Sequence, residues 1–464
     1  MQRWVICVFF AVACEIAAAQ AFDEAAMKVR LDQVASSHSG KNAFMGTVLV
    51  ARRDRILLNK GYGMANLEWE IPNAPDVKFR LGSMTKQFTA ALILLFQEEG
   101  KLNIEDPISK YLPDTPKAWE KIRVADLLGH TSGIPEVFET KGFFSWAMSP
   151  HTPEEELALV RDKPLDFDPG SKFAYCNSNF VALGSVIEKV SGKKYGDLLR
   201  ERILDPLGMK DTGLDIDGLI LPQRAEGYMP GEDGLVSASG PSMSVPWAAG
   251  SIYSTTGDLL KWEHGLFGGK VLSTNSLKLM TTPGKGNYGL GLMIMEKDRI
   301  KVIEHGGMIN GFTAFLSYTP QRGIAVVVLS NVMGLSPVIL ADGLLDVALG
   351  KPVTLPSERK PVLIAQAALA RFVGVYDASP TYSLTIARSR NGLTAQETHS
   401  PPLDMTYLGE QGGHPRFLVP LLSDPSSLLP VLTNPEIEFV PDSNGSISSL
   451  IVHAEHQNIL AKRR

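Results

Sequence analysis

Cysteine, basic tracts and long apolar runs are all scarce in this sequence. Three cysteines occur in 464 residues, too few to hold a structural thiolate zinc site. Two of them, Cys7 and Cys14, fall in an N-terminal segment that reads as a removable leader, so the mature chain keeps Cys176 alone and forms no internal disulfide. Its stability must then come from core burial. The formal charge is -5, and the one Lys/Arg cluster is Lys462 to Arg464, which argues against nucleic acid as a partner. No apolar run approaches the roughly 20 residues of a membrane-spanning helix, so no transmembrane anchor is expected. Internal repeats and low-complexity tracts are also missing.

What is present is ordinary for a globular protein of two or three domains, with 44% hydrophobic and 20% charged residues. The first residues, MQRWVICVFFAVACEIAAAQAFDEAA, combine Arg3, an apolar stretch from Trp4 to Ala13 and small residues around Ala19 and Ala21. That pattern predicts a secretory signal over residues 1–21 and an exported protein, periplasmic or secreted. Lipid attachment at Cys14 is a poor match, because Ala11-Val12-Ala13 precedes it.

Residues 44–63 predict strand, turn, strand. A helical middle follows: an apolar helix after Ser83, a helix opened by Thr152 in TPEEELALV, and another from Asn179 to Val190 that stops at Ser191-Gly192. The β pattern returns in IKVIEHGG, GFTAFLSYTP and GIAVVVLSN. Strands from both ends with helices between predict an α+β domain, one sheet assembled from both chain ends with a mainly helical insertion. Its expected extent is 22–351. Residues 352–370 read as a linker, and 371–464 as a small all-β, barrel-like domain with hairpin signals at Asn391-Gly392 and Asn444-Gly445.

Ser-x-x-Lys occurs three times, at Ser83, Ser191 and Ser357, and context separates them. Ser191 lies in a helix-ending SGKK and Ser357 in the polar linker. Only Ser83 heads a segment, Phe88 to Phe96, in which Thr89 is the one polar residue. A lysine there faces a desolvation cost that favours its neutral form, and at a spacing of three Lys86 shares a face with Ser83. An uncharged amine beside a hydroxyl makes a nucleophile. Taken alone, the motif equally fits a helix cap with Lys86 reaching outward. Tyr-x-Asn occurs once among eleven tyrosines, at Tyr175 and Asn177, where a phenol can relay protons and an amide can bind a carbonyl. By itself it also fits a half-buried ring and a helix cap. Glu304-His305-Gly306-Gly307, just before Met308, places an imidazole beside glycines that let a ligand approach a strand. His130 reads as a loop-fixing residue; His453 and His456 read as surface residues.

In this order the three elements resemble the serine β-lactamase and penicillin-binding superfamily, in the branch of class C β-lactamases, D,D-carboxypeptidases, D-aminopeptidases and related esterases. Ser83-Met84-Thr85-Lys86 matches its nucleophile motif, Tyr175-Cys176-Asn177 its Tyr-x-Asn, and His305-Gly306-Gly307 its third motif. The likeness spans residues 44–349, with supporting stretches at 100–113, 127–135, 203–213 and 248–259. It implies a Ser83 acyl-enzyme with Lys86 and Tyr175 moving protons, the backbone N–H groups of Ser83 and Met308 holding the oxyanion, and Asn177, His305, Gly307 and Met308 binding substrate. No cofactor or metal is implied, and the partner is a small-molecule or peptide substrate. Histidine replaces the lysine usual in lactamases at the third motif, which leans toward esters or peptides over penicillins. A β-lactamase or D,D-peptidase, and a non-catalytic β-lactam or cell-wall binder, are the competing expectations. Gly-x-Ser-x-Gly is nowhere in the chain, which excludes the nucleophile-elbow route to the same chemistry.

Overall fold

A computed structural model describes residues 24–39, 44–112, 114–231, 234–334, 336–355, 358, 362–379, 382–390, 392–397, 402–419, 436–454 and 457–464. The leader expected at 1–21, with Cys7 and Cys14, lies outside the described residues, as do Ser357, Asn391 and His456. Among the described residues no helix is long and apolar enough to cross a membrane.

The first helix, α1, covers 24–38. Strands β1 (Gly46–Arg52) and β2 (Arg55–Tyr62) follow as a hairpin. The insertion supplies α2 (Thr85–Glu98), α3 (Pro153–Arg161), α4 (Asn177–Ser191) and α5 (Thr256–Phe267). Then come β3 (Met293–Lys297), β4 (Ile300–Ile309), β5 (Phe312–Thr319), β6 (Ile324–Ser330) and α6 (Ser336–Ala348). The sheet order is β3-β4-β5-β6-β1-β2, all antiparallel, and the two chain ends meet where Gly46 pairs with Ser330.

Because successive side chains point to opposite faces and both faces are covered, β1 is apolar from Val48 to Ala51 and β6 from Ile324 to Leu329. Val48, Val50, Val326 and Val328 pack with Leu31 and Val34 of α1 and Leu340 and Leu344 of α6. Their neighbours Leu49, Ala51, Val327 and Leu329 join the larger core with α2, α4 and α5 on the other face. That core swallows α2, whose Phe88 stacks on Trp262 of α5 at 4.2 Å. Burying a ring of this kind is worth about 1.5–3 kcal/mol.

Local chemistry sets the helix ends. Thr152 accepts from Glu155 N–H and Glu155 accepts from Thr152 N–H, a reciprocal box at the start of α3. Helix α4 begins at Asn177, two residues before the apolar pattern does, and stops at Gly192 with φ +69°. The third-motif stretch sits inside β4 rather than at its end. The strand runs on to Ile309 because Asn310 (φ +45°) and Gly311 (φ +85°) close a two-residue hairpin into β5.

At the C-terminus, eight strands close into a barrel: β7 (Gly374–Ser379), β8 (Tyr382–Arg388), β9 (Leu393–Glu397), β10 (Leu403–Gln411), β11 (His414–Leu418), β12 (Glu436–Pro441), β13 (Ile447–Ala454) and β14 (Gln457–Arg463). The ring is completed where Tyr376 pairs with Arg463. Tyr376, Ile386, Phe417, Phe439 and Leu450 fill it, with Leu369 and Phe372 from a preceding 3₁₀ turn. His453 is no isolated surface residue: its Nε2 lies 2.6 Å from Glu438, which also meets His414 and Arg416.

Candidate active site

Two helix starts and the later part of strand β4 converge on Ser83. It lies in a one-turn 3₁₀ segment, Gly82–Met84, that feeds directly into α2, and its side chain caps nothing. One turn on, Lys86 is fully buried. Its Nζ is 3.0 Å from Ser83 Oγ, 2.8 Å from Asn177 Oδ1 and 2.8 Å from Ala249 O. Burial lowers this amine to about 7, against an opposing pull from the charge of Glu136.

The proton count decides what that geometry can do. A neutral amine has two N–H bonds and one lone pair. Ala249 O accepts only, and so does Asn177 Oδ1, because the other end of that amide donates to the Glu136 carboxylate. Both N–H bonds of neutral Lys86 are therefore spent on oxygens, and its lone pair is left facing the Ser83 hydroxyl.

Asn177 is held on three sides. Glu136 Oε2 accepts from its backbone N–H at 2.6 Å and from Nδ2 at 3.1 Å, while Glu136 Oε1 accepts from Phe138 N–H at 3.3 Å. Burial raises Glu136 above the usual carboxylate range, and those N–H donors pull it back. Nearby Glu156 is buried and raised to about 8 by desolvation and by Glu136, so it is mostly protonated at neutral pH.

Tyr175 is 38% exposed as a residue, but its hydroxyl faces inward. Burial pushes the phenol above its usual range, while a hydrogen bond with Ser83 pulls it down. Its ring stands 4.3 Å from that of His130, and Lys86 Nζ lies 5.0 Å from its centroid. His130 fixes this stretch: its carbonyl accepts from Ala174 N–H and its Nδ1 from Cys176 N–H. Cys176 is buried with its thiol pushed up to about 12 by desolvation, which leaves no reactive thiolate.

His305 lies in β4 against Tyr288. It is buried, with Nδ1 2.6 Å from Gly306 O and Nε2 2.9 Å from Tyr288 Oη. The carbonyl only accepts, so Nδ1 carries the proton and Nε2 accepts from the tyrosine. Both nitrogens are engaged, and burial lowers the ring to about 3. The imidazole is a fixed neutral wall rather than a free donor.

Glycine lets β4 close on the nucleophile turn. A Cβ on Gly307 would stand 2.0 Å from Leu81 O and 2.6 Å from Ser83 N. Gly82, at φ +54°, would put a Cβ 2.8 Å from Met308 N. The backbone N–H groups of Ser83 and Met308 are thus brought side by side. Among the described residues no cluster of His, Cys, Asp or Glu could hold a metal ion.

All of Ser83, Lys86, Tyr175, Asn177, His305, Gly307 and Met308 meet in this one place. Glu136, Glu156, Tyr288 and the Ala249 carbonyl are additions that the sequence reading missed.

The beta-lactamase family model matches residues 31–349. The PbpX protein of Bacillus subtilis (strain 168), named for penicillin binding, is 30% identical over 311 residues, covering 67% of this chain and 76% of its own. Among solved structures, an octameric penicillin-binding protein homologue from Pyrococcus abyssi superposes with a TM-score of 0.65 at 25% identity, over 93% of this chain and 99% of that one. The D-amino acid amidase of Ochrobactrum anthropi SV3, complexed with D-phenylalanine, gives 0.63 at 25% identity, over 70% of this chain and 99% of that one. The chain belongs to the beta-lactamase family, within the superfamily of serine hydrolases that includes penicillin-binding proteins and D-amino acid amidases.

Proposed function

We propose that the chain is an exported serine hydrolase that cleaves an ester, amide or peptide bond through an acyl-enzyme on Ser83. The observation that carries this reading is the lone pair of buried Lys86, left facing Ser83 Oγ at 3.0 Å once both its N–H bonds are taken. Ser83 Oγ attacks the carbonyl carbon as its proton passes to Lys86. The oxygen that gains negative charge is held by the N–H groups of Ser83 and Met308, an arrangement usually worth most in acyl transfer. Tyr175 stays protonated at neutral pH, so it is the acid: it gives its proton to the leaving group and is reprotonated from Lys86. Water then repeats the sequence on the acyl-enzyme and frees Ser83.

Residues 22–351 form the hydrolase domain in this proposal, 352–370 the linker and 371–464 the barrel domain. Export follows from the leader pattern. Asn177 orients Lys86, and Gly307 and Met308 line the reacting carbonyl. The neutral His305 supports uncharged ester or amide substrates, since it offers no cation to a carboxylate. A second reading, hydrolysis of β-lactams or peptidoglycan peptides, is favoured by the penicillin-binding relatives.

Wild type and Ser83→Ala are to be compared on p-nitrophenyl esters, D-amino acid p-nitroanilides and nitrocefin. Ester or anilide turnover lost in Ser83→Ala supports the proposal. Rapid nitrocefin cleavage promotes the second reading, and turnover that survives in Ser83→Ala removes Ser83 from the mechanism.

A further inference from the structure

We propose that the Ser83 site takes substrates whose acyl group is apolar and uncharged, and that an exposed apolar rim receives that group. The inference rests on the hydrolase reading above and names its substrate class.

Three stretches bear exposed apolar side chains: Phe138, Phe144 and Met148 on one, Ile216 and Ile220 on another, and Met308 on β4. Phe144 is 64% exposed and Ile220 92%, and apolar side chains grouped on one surface mark a ligand-binding site. One short segment, 240–244, ties all three together. Ser242 N–H donates to Ala147 O at 2.8 Å, beside Met148. Met243 N–H donates to Asp217 Oδ1 at 3.0 Å, beside Ile216. Asn310 Nδ2 donates to Pro241 O at 2.9 Å, two residues beyond Met308.

Backbone bonds tie the rim to the reacting groups. Phe138 N–H donates to the same Glu136 carboxylate that orients Asn177, and Met308 carries an N–H of the oxyanion pair. Charge points the same way. Lys86 spends its N–H bonds on Asn177 and Ala249. Arg80, just before the nucleophile turn, is paired with the buried carboxylate of Asp215 at 2.7 Å, and His305 stays neutral. None of Lys86, Arg80 and His305 offers a free cation to an acyl carboxylate at the reacting carbonyl, and the one lysine on the Phe138–Met148 stretch, Lys141, is exposed to solvent, whereas an alkyl or aryl chain would cover apolar surface.

The test is a series of p-nitrophenyl acetate, butyrate, octanoate and hemisuccinate on the full chain, with labelling of Ser83 by a small fluorophosphonate run in parallel. The expected result is a kcat/KM about tenfold or more higher for octanoate than for acetate, with hemisuccinate below butyrate. The octanoate-to-acetate ratio should fall toward one in Phe144→Ser and in Ile220→Ser. It should hold in Leu363→Ser, which removes an equally exposed apolar side chain from the linker. Labelled Ser83 with no chain-length preference, or a preference for hemisuccinate, overturns the rim proposal and leaves the hydrolase reading standing. Absence of both labelling and turnover overturns the hydrolase reading itself.

Discussion

Replacing Glu136 by glutamine removes its charge and the acceptor for Phe138 N–H while keeping an acceptor for Asn177. The side-chain carbonyl of the substituted amide can still accept from Asn177 N–H and Nδ2, so Asn177 should stay in place while the negative charge goes. Asn177 bridges that charge and Lys86. Its two hydrogen bonds, 2.8 and 3.1 Å, plus the amide's own bonds, put Nζ and Oε2 at most roughly 8.5 Å apart. At an effective dielectric near 20, unit charges at that separation attract by roughly 2 kcal/mol, equivalent to about 1.4 pH units. Glu136 raises Lys86, so its removal lowers the amine further. Neutral Lys86 is the active form, and the acid limb of kcat/KM should therefore lie near pH 7 in wild type and about 1.4 units lower in Glu136→Gln. The other titratable groups around the amine test the assignment. Glu156 also raises Lys86 but is itself raised to about 8, so Glu156→Gln should move the limb less than Glu136→Gln; burial lowers both His130 and His305. Steady-state rates from pH 5 to 9 on one p-nitrophenyl ester read the limb. An unmoved limb in Glu136→Gln, or a move upward, refutes the coupling.

Three further outcomes follow from the same geometry. Tyr175→Phe keeps the ring against His130 and removes the proton donor, so kcat should fall on the order of a hundredfold or more; an unchanged rate removes Tyr175 from the relay. Gly307→Ala places a Cβ 2.6 Å from Ser83 N, so turnover should collapse with little loss of helical circular dichroism, and full activity would mean β4 does not close on the nucleophile turn. Glu263, buried in α5 and raised to about 8 by desolvation alone, binds its proton more tightly folded than unfolded. Its stabilising share is complete below the unfolded carboxyl value and is lost as pH rises toward 8, at up to about 1.4 kcal/mol per pH unit. Glu263→Gln should flatten that decline in denaturant titrations, and an unchanged slope would contradict a neutral buried carboxyl.

The sequence was most legible where one local segment carries both fold and chemistry. Ser83 and Lys86 lie one turn apart at the head of a buried helix, so spacing and composition made their contact one of two local readings, and the Tyr175 and His305 motifs favoured it. The sheet from both chain ends was equally readable, because β1 and β6 are apolar on both faces. Glu136 was not readable: its bonds to Asn177 span 41 residues, and only the folded loop brings them together. Tyr288 reaches His305 across 17 residues and holds the imidazole in place, a contact that no local pattern encodes. The early start of α4 has the same origin. Asn177 is claimed by Lys86 and Glu136, so helix formation extends past the apolar repeat. The continuation of β4 through Met308 was available in Asn310-Gly311, a two-residue hairpin signal that the strand pattern ending at Gly307 obscured.

The account turns on an amine that is uncharged near neutrality, and the most direct measurement is its titration. Lysine labelled with ¹³C at Cε, with the Lys86 resonance assigned by its loss in Lys86→Met, reports the ionisation of that one side chain. A midpoint near 7 is predicted. A midpoint near the ordinary lysine value of about 10.4 would contradict the account, because a permanently charged ammonium has no lone pair to offer Ser83.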